Sequence, residues 1–140
     1  VSVNAGFVPM ALNRVASGGE LSRVMLALKA ILARVDEVPT LVFDEIDAGI
    51  GGQVATLVAS KLKEVARYHQ VFVITHLPQL ASRARSHLLV EKRDGDGLAA
   101  TSVDSLEGEA RVREIARMLG GDPESETSRV HARELLGRSS

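Results

Sequence analysis

The sequence contains no cysteine. Disulfides and thiolate metal sites are therefore excluded, and a reducing compartment is expected. No apolar run approaches the roughly 20 residues of a membrane span, and the N-terminus shows no signal-peptide pattern, so no membrane partner is expected. Charge of one sign is also missing. The 17 Lys and Arg nearly balance the 18 Asp and Glu, for a net charge of -1. Any nucleic-acid contact must then come from a local patch or from another part of the protein. There is no internal repeat, no low-complexity tract and no sustained heptad pattern. No G-x-x-x-x-G-K-S/T run occurs anywhere. The chain begins with Val1 rather than methionine, which is what a piece of a longer protein would show.

What is present is a 140-residue chain with 45% apolar residues, enough for one domain with a real core. Val1 to Ala16 has Gly6, Pro9 and little periodicity, and reads as a strand end and a loop. Ser17-Gly18-Gly19-Glu20 opens a helix. Its apolar residues Leu21, Val24, Met25, Leu28, Ile31, Leu32 and Val35 recur at a spacing of three or four, which predicts one buried face. Pro39 follows its end. Thr40-Leu41-Val42-Phe43 is a short apolar run of the kind buried on both faces of a sheet. After the turn Gly49-Ile50-Gly51-Gly52 a second amphipathic helix is predicted, with Val54, Leu57, Val58, Leu62 and Val65 inward. Val71-Phe72-Val73-Ile74-Thr75 is a second buried strand. Strand, helix and strand in that order imply a crossover and a parallel pair. Pro78 to Arg85 reads as a short helix. His87 to Lys92 and Leu98 to Val103 flank a hairpin turn at Asp94-Gly95-Asp96-Gly97. Helices over Arg111 to Leu119 and Pro123 to Leu136 end at glycines.

Three features carry chemistry. At Leu41-Val42-Phe43-Asp44-Glu45 two adjacent acids end an apolar strand, where ligands of open α/β sheets bind. One acid can hold Mg²⁺ and the next can orient or deprotonate a water. The plainer reading is a pair of solvated acids feeding a turn. Ser17-Gly18-Gly19-Glu20 puts exposed N–H groups and a helix dipole where an anion could sit. Taken alone, an ordinary serine cap is the plainer reading. Thr75-His76 follows the second strand, and a histidine there can donate to a phosphate oxygen or simply stand in a turn. The three together, in this order, are far less expected by chance than any one alone.

These residues resemble a known family. Ser17-Gly18-Gly19-Glu20-Leu21-Ser22-Arg23 is similar to the signature motif of ABC-type ATPases in its SMC-like form. Leu41 to Glu45 looks like their Walker B strand and catalytic glutamate. Asp47 to Gly52 falls where their D-loop lies, and His76 where their switch histidine lies. Ile74-Thr75-His76-Leu77-Pro78-Gln79 and Glu114-Ile115-Ala116-Arg117-Met118-Leu119-Gly120-Gly121 resemble the branch that repairs DNA double-strand breaks. The resemblance implies an α/β fold, a P-loop NTPase of ABC/SMC type. Residues 1–140 would be the C-terminal lobe of a split head, with a parallel sheet flanked by helices. It implies ATP and Mg²⁺ as cofactors, with Asp44 supporting Mg²⁺, Glu45 polarising the attacking water and His76 contacting the γ-phosphate. Ser17, Gly18 and Gly19, with Glu20 and Asp47 alongside, would meet nucleotide, the signature residues reaching that of a second head in a homodimer. It also implies an N-terminal lobe and a coiled coil elsewhere in the protein, DNA as a partner of the whole, and a cytoplasmic, nucleoid-associated setting. Without a phosphate loop, this stretch alone is expected not to hydrolyse ATP.

Departures from the pattern are informative. Many ABC proteins have an aspartate where Gly51 stands, and Asp47 is the nearer acid here. Transporter signatures usually read Ser-Gly-Gly-Gln and Asp-Glu-Pro, whereas this chain has Glu20 and Ile46. The head lobe of another ABC- or SMC-like ATPase stays open as an alternative, and so do two other classes. One is a non-enzymatic interaction module, and the other is a hydrolase using Asp44, Glu45 and His76 directly on a metal. Arg83, Arg85, Lys92 and Arg93 could touch a DNA backbone, but Glu91 and Asp94 among them favour a solvated face. Arg14 could meet a nucleotide, though a loop arginine is the simpler expectation. Arg111, Arg113 and Arg117 read as surface ion pairs of small value. His69, His87 and His131 show no metal-ligand spacing.

Overall fold

The structure is a computed structural model that describes residues 16–95 and 98–137, without the side chains of residues 93–95, 98 and 99. The expected strand end and loop before Ala16, Arg14, the hairpin residues Asp96 and Gly97 and the Arg93 side chain lie outside what is described. Two compact units divide the chain, Val1–Leu80 and Ala81–Ser140.

In the first unit, helix α1 (Gly18–Leu32) leads to strand β1 (Thr40–Phe43), helix α2 (Gly52–Val65) and strand β2 (Gln70–Val73). The two strands pair in parallel, with Leu41 opposite Val71 and Phe43 opposite Val73, as the strand–helix–strand order required. Leu26, Leu41, Phe43, Ile46, Val58, Leu62 and Val65 share one core with Ala55, Ala59 and Leu80. Each large side chain withdrawn this way contributes about 1.5–3 kcal/mol.

Expectations about burial are corrected on four elements, including β2, expected as a buried strand over Val71–Thr75 but found over Gln70–Val73 with no residue fully buried. On α1 the apolar stripe is exposed from Leu21 to Val35, with Ile31 at 79%. The buried face instead holds Gly19 and Leu26, turned toward the core by the close approach of the helix start to the turn after β1. On β1 only alternate residues are buried, Leu41 and Phe43, while Val42 is 65% exposed. The sheet is covered on one face by this chain, and Val42, Phe72 and Ile74 are left open. On α2, Val58, Leu62 and Val65 are inward as expected. Val54 and Leu57 are exposed, and the small Ala55 and Ala59 take the packed positions.

Helix α3 (Pro78–Ala81) follows in the sequence. In the second unit β3 (His87–Gly95) and β4 (Leu98–Leu106) form the expected antiparallel hairpin, with Val90 opposite Val103. Helices α4 (Gly108–Met118) and α5 (Glu126–Gly137) pack through Val112, Ile115, Ala116 and Ala132. Helix α5 starts three residues later than expected. Asp122 accepts from the N–H of Glu124 at 2.9 Å and of Ser125 at 3.1 Å, which spends residues 122–125 on a turn. Arg111 is no surface ion pair. Its guanidinium donates to the carbonyls of Ala81, Ser82 and Ala84 within its own unit, capping the end of a turn. Arg117 does pair with Glu114, at 2.7 and 2.8 Å, and Glu114 is buried under it.

Candidate functional site

Strand β1 delivers Asp44 and Glu45 to its carboxyl end, and both are exposed. Asp44 Oδ1 accepts the N–H of Glu45 at 2.8 Å, and its carbonyl accepts from the Ser22 hydroxyl at 2.8 Å. Glu45 has φ +55°, a left-handed conformation unusual for a residue with a side chain. Such a conformation costs about 1–3 kcal/mol and persists only where neighbours impose it. The neighbours here are Phe43 and Ile46, both buried, with Ile46 completely so. The turn drives Ile46 inward and thereby holds Glu45 out. A bond from the Ala48 N–H to the Glu45 carbonyl, 2.9 Å, closes it.

The next residue but one goes inward. The Asp47 side chain is 5% exposed. Its Oδ2 accepts from the Thr75 hydroxyl and from the His76 N–H at 3.0 Å, and His76 Nδ1 lies 3.0 Å from the same oxygen. Thr75 in turn accepts the Leu77 N–H at 3.0 Å. Burial by itself would raise the Asp47 carboxyl pKa. The hydrogen bonds from Thr75 and the His76 N–H, with the charge of His76, outweigh it and hold Asp47 below the usual aspartate value. The His76 ring is 76% exposed, so its far edge faces outward.

The start of α1 meets this turn directly. Ser17 caps the helix, accepting from the Glu20 N–H at 3.3 Å, while Glu20 returns a bond from the Ser17 N–H at 2.9 Å. This is a complete capping box, so the serine cap foreseen as the plain reading is real. The Glu20 carboxyl is held low by the Ser17 backbone and hydroxyl. A methyl on Gly18 would run into Glu45 Oε2. One on Gly19 would meet the Ala48 side chain and the Glu45 carbonyl at 2.8 Å. Glycine is required at position 19 by this chain's own turn, whereas at position 18 a methyl would displace only the flexible end of Glu45. Arg23 then locks the turn, donating to the carbonyls of Ile46 at 3.1 Å and Ala48 at 2.9 Å.

The structure thus brings the signature-like residues, Asp44, Glu45, Asp47 and His76 into one connected region of the first unit. Asp47, expected beside nucleotide, points its carboxylate at Thr75 and His76, and Glu20 spends its carboxylate on the cap. Sequence reasoning passed over Arg23 and Thr75 as working residues. The available signals were an arginine in the second turn of a serine-capped helix and a hydroxyl immediately before a strand-end histidine. Among the described residues, no group of three or more His, Asp and Glu could hold a metal on its own. That disfavours a hydrolase using Asp44, Glu45 and His76 as a metal cluster. One exposed carboxylate does fit Mg²⁺, which takes one or two protein acids and completes its shell with phosphate oxygens and water.

A solved structure from work on the ATP-driven dimerization and DNA-stimulated activation of SMC ATPases shares this fold. Its TM-score is 0.56 at 24% identity, over 82% of this chain and 68% of that one. The fold is α/β and is shared with that SMC ATPase structure. No protein-family model matches the chain. In sequence it is similar to the DNA repair protein RecN. It is 52% identical to that of Treponema pallidum (strain Nichols) over 97% of this chain. It is 54% identical to that of Streptomyces coelicolor over 86%, and 50% identical to that of Mycobacterium leprae over 96%. The chain spans 24%, 21% and 23% of those three proteins, so the likeness concerns under a quarter of their length. No helix among the described residues is long and apolar enough to cross a membrane.

Proposed function

We propose that this stretch is the C-terminal lobe of an SMC-like ATPase head in a RecN-type protein of DNA double-strand-break repair. The observation that carries the reading is the turn after β1. It places Asp44 and Glu45 outward at a strand end, with His76 tied by Asp47 to the end of the neighbouring strand. In this reading Asp44 helps hold Mg²⁺, which would neutralise charge on the phosphates. Glu45 accepts a hydrogen bond from the attacking water and draws off its proton. His76 offers its outer nitrogen to a γ-phosphate oxygen. Phosphoryl transfer asks mainly for such positioning and charge stabilisation.

Ser17 and Gly18 are exposed in the same region, with Gly19 buried beside them, and in this reading the three serve the nucleotide of a second head. Two heads then enclose two ATP molecules, and hydrolysis parts them. The phosphate loop comes from an N-terminal lobe of the same protein. The open apolar face of Val42, Phe72 and Ile74 and the exposed stripe on α1 supply surface for that lobe to cover. DNA binding belongs to the complete protein, working in the cytoplasm at the nucleoid.

The test is Glu45→Gln in the full-length protein. It is expected to bind ATP and accumulate as a long-lived head dimer while turnover collapses. Turnover equal to the parent's would remove Glu45 from the mechanism.

A further inference from the structure

We infer that Asp47 is the positioning residue for His76, acting on nucleotide through that ring rather than by touching nucleotide itself. The inference rests on the reading of His76 as a phosphate ligand and gives Asp47 a role within it. Asp47 sits in the turn after β1, and Thr75 and His76 follow β2, the parallel neighbour of β1. One carboxylate therefore bridges the ends of two adjacent strands. A single oxygen, Oδ2, gathers the Thr75 hydroxyl, the His76 N–H and His76 Nδ1. The backbone bond fixes where residue 76 leaves the strand, and the 3.0 Å approach of Nδ1 to Oδ2 sets which ring nitrogen faces the acid. With the side chain 5% exposed and its oxygen so engaged, a direct contact to nucleotide would have to dismantle this arrangement.

The chemistry follows from the two ring nitrogens. A carboxylate at Nδ1 keeps a hydrogen there, which leaves Nε2 at the exposed edge as the working atom. Nε2 is then the ring atom left to meet a phosphate oxygen, with the Asp47 carboxylate behind the ring. An orienting acid behind a working histidine is worth about 10- to 100-fold where such partners have been removed in metal sites.

The experiment is a double-mutant cycle on ATP turnover by the full-length protein, using Asp47→Ala, His76→Ala and the pair, with ATP affinity measured alongside. Asp47→Ala should lower kcat about 10- to 100-fold with little change in ATP affinity. The same change made in the His76→Ala background should cost nothing further. Asp47→Asn keeps an acceptor oxygen for Thr75 and the ring, and should recover part of the turnover lost in Asp47→Ala. Where Asp47→Ala does not fold, the cycle runs with Asp47→Asn and the same non-additivity is expected. Losses that multiply, or an Asp47→Asn protein equal to the parent, overturn the inference while leaving the functional reading intact. A His76→Ala protein with parental turnover instead overturns the functional reading on which it rests.

Discussion

Gly18→Ala is expected to disable the catalytic carboxylate of its own head. An ideal Cβ on Gly18 falls 2.2 Å from Glu45 Oε2, whereas ordinary contact begins near 3.4 Å. The carboxylate must therefore retreat by about 1 Å, a misplacement that can cost up to about 100-fold in rate. Folding should tolerate the change. The displaced atom is the end of an exposed, flexible side chain, and alanine for glycine in a helix is worth up to about 1 kcal/mol in favour of the fold. The assay is steady-state ATP turnover by the full-length protein, with ATP binding as control. A competing cause is that the methyl disturbs only the partner head's γ-phosphate. Mixed dimers of Gly18→Ala with Glu45→Gln subunits separate the two. In such a dimer one site joins the Glu45 of the Gly18→Ala head to an unaltered signature. If the effect acts within the head, that site is silent and the dimer is inactive. If the dimer keeps about half the parental turnover, the contact between Gly18 and Glu45 has no catalytic consequence and the reasoning is refuted.

Other expectations follow from the same turn. Gly19→Ala meets a backbone carbonyl and the Ala48 methyl, neither of which can swing away. It should destabilise by about 1–3 kcal/mol, seen as a lower denaturation midpoint. Ile46→Ala empties a completely buried position and should cost about 2–5 kcal/mol, with faster amide exchange at residues 45–48. Ser17→Arg should abolish the ATP-dependent dimer in sedimentation while a single head still binds ATP; a normal dimer would sink the signature assignment. Asp47 titrates below the ordinary aspartate value of 3.8. Its contribution to stability is therefore full above that value and lost as pH falls through the lower folded one. Asp47→Asn should be less stable near neutrality and lose less on acidification, measured by denaturation at pH 7 and pH 3.

Much of this was legible because local signals and the fold agreed. The glycine-started helix, the strand ending in Asp44-Glu45 and the parallel partner ending in Thr75-His76 were each marked by period, cap or composition. The failures of burial have one physical source. Hydrophobic spacing says that a face is apolar, not that this chain covers it. The α1 stripe and the outer face of β1 were read as buried and are open. Arg111 was read from neighbouring acids in the sequence, but its partners are carbonyls some 30 residues away in sequence. The two glycines looked like room for a phosphate. They are also room for Glu45 and Ala48, a steric fact that only three-dimensional proximity reveals. The left-handed Glu45 and the inward Asp47 likewise come from burying Ile46 between them, which no local propensity encodes.

The most direct measurement is ATP hydrolysis by this 140-residue chain, first alone and then with a separately prepared N-terminal lobe carrying the phosphate loop. The account predicts no turnover from either piece, turnover from the mixture, and its loss when the chain carries Glu45→Gln. Turnover by the chain alone would contradict the account, because the nucleotide would then be held without a phosphate loop.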